Sequence, residues 1–172
     1  MGRLLKLIFL LIVVSTSLIA CQGNLDRDPD ITGYVVEQTE NNILVASESA
    51  IDLSSNGGVK NFYQMVWFSN PPKELGYGDK VEVWFDEIEE SYPNRSTIVD
   101  YNILETDSPE GATLNETEVL NQVLSQHKTR PSELFAIHKT HYNNFNNTWK
   151  ITLIEIWTQK VITIEYPEAD QI

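Results

Sequence analysis

The sequence predicts a mainly β protein with a minor α+β part: a five-stranded barrel or sandwich, then one helix and a three-stranded antiparallel meander. Three observations carry this. Short runs rich in β-branched and aromatic residues recur through the first hundred residues with turn residues between them. A single stretch with helical spacing follows. Three further strand-like runs then close the chain.

The folded part is expected to begin near Ile31. ITGYVVEQ (31–38) and NNILVASE (41–48) are apolar and β-branched with a short polar break, the pattern of a hairpin. SSNGGVKN (54–61) reads as a loop. FYQMVWFSN (62–70) is the third strand, stopped by Pro71-Pro72. KVEVWFDEI (80–88) and STIVDYNILET (96–106) complete the five, with Gly76, Gly78 and Asp79 turning the chain before the fourth.

After residues 106–113 the pattern changes. Asn115 suits an N-cap, Glu116 and Glu118 favour the positive end of the helix dipole, and Val119, Leu120, Val123 and Leu124 share one face. Thr129-Arg130-Pro131 ends the helix. Strands are then predicted at 133–142, 148–157 and 160–166. This gives two modules, 31–106 and 113–172, with a boundary near Asp107 to Ala112. The alternative is one continuous domain in which the helix plugs the barrel.

Gly33-Tyr34-Val35, Val66-Trp67-Phe68 and Gly78-Asp79-Lys80-Val81 give residues 31–104 a resemblance to a bacterial family of small secreted proteins and lipoproteins, domain of unknown function 3221. Gly-Asp-x-Val before a strand is common in oligonucleotide/oligosaccharide-binding (OB) barrels, so the resemblance implies an OB-like barrel. No catalytic residue is established for that family, and none is carried over.

The N-terminus has the order of a secretory signal peptide over residues 1–20: Arg3 and Lys6, an apolar centre from Leu7 to Val14, then smaller residues to Ala20. Leu7 to Ala20 would span about 21 Å as a helix, short of the ~30 Å hydrocarbon core. Leu18-Ile19-Ala20-Cys21 resembles the lipobox of bacterial lipoproteins. That resemblance implies cleavage before Cys21 and a thioether-linked diacylglyceryl group with palmitate-type chains on its sulfur. Two chains hold a protein firmly on a membrane where one is marginal. The expectation is a lipid-anchored protein on the extracytoplasmic face, with residues 21–30 as the lipidated cysteine and a short tether.

Without Arg3 and Lys6, ten basic side chains stand against twenty-five acidic ones, a formal charge of −15. Such a surface disfavours nucleic acid and anionic headgroups as partners. A cationic partner or simple solubility fits it better. The lone cysteine leaves no intramolecular disulfide, so packing alone must hold the fold.

Catalytic motifs are lacking. G-x-S-x-G, G-x-G-x-x-G and the phosphate-loop pattern do not occur, so neither a catalytic set nor a cofactor is expected. His138 and His141 form H-x-x-H, yet on a strand residues three apart face opposite sides, and no metal site is expected there. Asp86, Glu87, Glu89 and Glu90 form an acidic cluster without the glycine of an EF-hand loop. The aromatic residues are the better lead. Trp67-Phe68 and Trp84-Phe85 are adjacent pairs on strands, so one ring of each points inward and the other outward. Trp67, Trp84 and Tyr92 are the candidate ligand-binding residues. The expected function is non-enzymatic binding of a ligand or protein at the cell envelope. The alternatives are a metal-dependent hydrolase acting there, or a structural or inhibitory module using its acidic surface.

Overall fold

Nine strands in two sheets, one α-helix and one short 3-10 turn make up the computed structural model, which describes residues 27–127 and 132–168. The expected signal peptide and Cys21 lie outside the described residues. Among the described residues no helix is long and apolar enough to cross a membrane.

The first sheet contains β1 (Ile31–Gln38), β2 (Asn42–Ser47), β3 (Met65–Ser69), β4 (Lys80–Trp84), β5 (Asn94–Thr97) and β6 (Asp100–Leu104). Their order is β5-β3-β2-β1-β4-β6. All neighbours are antiparallel except β3 and β5, which run parallel. There are six strands here, not five, because the expected fifth breaks at Ile98 and Val99. The cause is local: Val99 gives its N–H to the carbonyl of Trp84 at 2.9 Å, which turns the chain from β3 towards β4. Ile98 packs against the core as the chain bends. The two outermost strands in the order, β5 and β6, are therefore consecutive in the chain.

Strand alternation sorts the side chains into two cores. Ile31, Val35, Ile43, Val45, Val66, Phe68, Val81 and Val83 form one, joined by Leu75 and Phe85. Tyr34, Leu44, Ala46 and Met65 point to the opposite face of the same strands and enter a second core. Val36 joins them at a bulge, where the β1–β2 register shifts between Val35 and Glu37.

The second core is completed by the rest of the chain. The helix α1 (Glu116–Gln126) starts with a capping box, Asn115 Oδ1 accepting from Glu118 N–H and Glu118 Oε2 from Asn115 N–H. It buries Val119, Leu120, Val123 and Leu124, the four residues that share a face in the sequence. β7 (Phe135–Asn143), β8 (Thr148–Glu155) and β9 (Val161–Pro167) form an antiparallel meander. Its Ala136, Ile137, Trp149, Ile151 and Leu153 pack in the same cluster as β1–β3 and α1. The Glu116 carboxylate ties three elements by accepting hydrogen bonds from the Tyr34 hydroxyl, at 3.1 Å, and from the Thr140 hydroxyl.

Gly78 seats the helix. Its φ is +85°, and a Cβ there would lie 2.7 Å from both Thr117 O and Asn121 N on the helix backbone. Gly78→Ala is expected to cost about 1–3 kcal/mol through strain and overpacking. Urea unfolding measures that loss, and hydrogen exchange should show faster opening of residues 116–126. Unchanged exchange in the helix would mean that it does not rest on this turn.

Candidate functional site at two clefts that share Trp67

Trp67 lies on β3 opposite Leu44 of β2 and Arg95 of β5, with its half-buried side chain packed against the second core. Phe68 beside it is fully buried in the first core, as strand alternation requires. The Trp67 side chain lines two clefts.

The first cleft has a volume of about 660 Å³. Its walls are the β1–β2 turn, β3, β5 and the loop between β4 and β5. Thr39 and Asn42 hold the turn, with Thr39 N–H to Asn42 O at 2.8 Å and Asn42 N–H to Thr39 Oγ1 at 3.1 Å. Glu87, Ile88 and Glu89 come from the loop, and Arg95, Ser96 and Thr97 from β5. The loop is pinned to β5 by a backbone pair between Glu89 and Arg95, and by the Ser96 hydroxyl donating to the Glu87 carbonyl. The result is one indole platform beside a guanidinium, two carboxylates and several hydroxyls. That combination suits hydrogen bonding and stacking.

The second cleft, about 850 Å³, lies across Trp67 on the side of the meander. Leu134, Phe135 and Ile162 line it, together with Glu155 at the end of β8 and Trp157 and Lys160 from the β8–β9 connection. Trp157 is 52% exposed. The sequence places it in a strand, but β8 ends at Glu155 and Trp157 stands in the turn that follows.

The other two aromatic candidates are placed differently. Tyr92 is 37% exposed and stacks on Phe62 at 5.3 Å, with its edge towards Trp157 at 5.5 Å. Its hydroxyl donates to the Tyr63 carbonyl at 3.0 Å, and burial raises its pKa above the usual tyrosine value. It buttresses the second cleft without lining it. Trp84 is only 5% exposed, and its indole N–H donates to the Arg27 carbonyl at 2.9 Å. Arg27 also bonds Asp86 at 2.9 Å and the Phe85 carbonyl at 3.2 Å, so the chain before β1 lies across this ring.

The histidines of H-x-x-H separate. His138 sits at a bulge in β7, and its Nδ1 meets the Tyr63 hydroxyl at 2.9 Å. His141 is exposed opposite Lys150. Among the described residues no group of three or more His, Cys, Asp or Glu converges as metal ligands would. In the acidic cluster, Glu87 and Glu89 line the first cleft, while Asp86 pairs with Arg27. Reasoning from sequence missed Arg95, Glu155 and Trp157. Trp157 beside Thr158-Gln159 was the accessible clue, since an aromatic residue next to a turn need not continue the strand.

The fold and these concavities define a small β-rich protein with ligand-sized clefts on one side of a six-stranded sheet. Residues 32–105, the segment that holds that sheet and the first cleft, match a protein family of unknown function, DUF3221. No curated protein and no solved structure matches the chain.

Proposed function

We propose that this protein is a non-enzymatic binding module, held on the extracytoplasmic face of a membrane by a lipid on Cys21, with its ligand or protein partner seated over Trp67. Residues 31–106 are read as an OB-like domain whose edge strands β5 and β6 are joined by the bend at Ile98 and Val99, and residues 113–172 as a helix-plus-meander module laid over one face. The observation that carries the reading is the first cleft. Its walls are the β1–β2 turn, the face of β2 and β3, and the β4–β5 loop, which is where OB barrels hold extended ligands. The formal net charge of −13 favours a ligand other than nucleic acid. The lipobox-like residues before Cys21 support the anchor.

Two measurements test it. Cys21→Ser should move the protein from the membrane fraction to the soluble one. A photo-crosslinking amino acid at Thr97, in living cells, should capture a product that Trp67→Ala abolishes while the melting temperature stays within a few degrees. Capture that is indifferent to Trp67→Ala would sink the binding assignment.

A further inference from the structure

Glu155 is the one residue of the second cleft whose chemistry is left incomplete among the described residues. It closes β8 and is 5% exposed. Its Oε2 accepts from the Thr158 N–H at 2.7 Å and from the Thr158 hydroxyl at 2.5 Å. Its Oε1 is shut off from solvent and has no hydrogen-bond partner. A carboxylate oxygen without water or a donor is an uncompensated cost, and folded proteins rarely tolerate one without a use. Trp67, Phe135 and Trp157 line the same cleft. Lys160 at the rim is exposed and, among the described residues, within ion-pair distance of no carboxylate.

We infer that the second cleft receives a basic side chain, a primary ammonium or guanidinium carried on a partner peptide, whose entry shifts the lining side chains so that it donates to Glu155 Oε1, which the free protein closes to solvent. The inference rests on the reading that the surface around Trp67 is for binding. A cation gains both from the carboxylate, through a charge-assisted hydrogen bond, and from the ring faces. A neutral hydroxyl gains only the hydrogen bond. The formal net charge of −13 attracts such a group from a distance. A peptide also finds backbone partners here. β9 is the outer strand of its sheet, and Ile162 near its start lines the cleft.

The test is calorimetric titration of the full chain with pentalysine and with the same peptide acetylated on every side chain and on its N-terminus. Pentalysine should bind and the acetylated peptide should not. Glu155→Gln should weaken binding at least tenfold. Trp157→Ala, at a half-exposed position, should weaken it severalfold, and Lys160→Ala should tighten it. Equal affinity in Glu155→Gln and Trp157→Ala would reduce the interaction to diffuse attraction by an acidic surface and overturn the inference, as would binding of the acetylated peptide or failure of pentalysine to bind. Should capture at Thr97 still depend on Trp67 in that event, the binding role of the first cleft stands and only the cation is lost. If capture does not depend on Trp67, the broader reading fails first.

Discussion

Gly33→Ala is expected to lower stability by about 3 kcal/mol or more, the upper end of overpacking costs. A Cβ at Gly33 would lie 1.9 Å from the carbonyl oxygen of Ala46, 2.7 Å from its carbon and 2.9 Å from Ser47 Cα. All three are backbone atoms of β2, so no side chain can swing aside. Gly33 also pairs with Val81 on its other flank, which puts the collision in the middle of the sheet. For a chain of this size, ~3 kcal/mol corresponds to a fall in Tm of roughly 6–12 °C. Gly76→Ala is the control, because a Cβ there meets nothing within 4 Å. Urea denaturation of both variants decides the matter. Equal midpoints would mean that β1 and β2 do not approach as closely as described.

The second large effect is expected at Glu168. Its carboxylate is 9% exposed and takes four hydrogen bonds: Thr113 N–H at 2.9 Å, Thr113 hydroxyl at 2.8 Å, Leu114 N–H at 3.0 Å and Trp149 indole N–H at 2.9 Å. It fastens the end of β9 to the segment that leads into α1. Burial pushes its pKa up, but the bonds from Thr113, Trp149 and Leu114 outweigh that and hold it below the ordinary glutamate value. Glu168→Ala orphans these donors at ~1–3 kcal/mol each, so a net loss of about 3–5 kcal/mol is expected once incomplete additivity is allowed for. The pH dependence has a definite sign. A carboxyl with a depressed folded-state pKa contributes fully above the ordinary glutamate range, and the contribution is lost as pH falls through the folded value. Stability of the native chain should therefore drop on acidification below the ordinary range, and Glu168→Gln should flatten that part of the profile. A Glu168→Gln profile that runs parallel to the native one would show that the proton goes elsewhere.

Much of the fold was legible because its strands are apolar in runs: VV in β1, ILVA in β2 and MVWF in β3. Such runs mark strands buried on both faces, and each face found its own core. The helix was legible from Asn115, Glu118 and four apolar positions, all local signals. The break at Ile98 and Val99 was not, because it depends on a carbonyl of Trp84 fifteen residues earlier. Trp84 reads as an outward ring, yet its cover comes from Arg27, in a stretch whose composition reads only as a tether. Trp67 was legible as the aromatic residue on the face opposite Phe68, but its packing against the second core depends on the helix and meander. Glu155 looked like any charged residue inside a strand predicted to run to 157. Its burial comes from tertiary packing, and no periodicity encodes it.

The second core also sets an order of events during synthesis. Tyr34, Val36, Leu44, Ala46 and Met65 are made early, yet Ala136, Ile137, Ile151 and Leu153, which cover them, come near the end of the chain. Between Met65 and Ile137 the ribosome adds roughly 70 residues, which takes about 4–14 s at ~5–20 residues per second. For that interval the early strands carry an uncovered apolar surface of the kind that holdase chaperones grip. A ribosome-stalled chain ending near residue 106 should therefore bind such chaperones far more strongly than one extended past Glu168. Completion of the second core is then gated by delivery of residues 133–168, whatever the intrinsic speed of the first six strands.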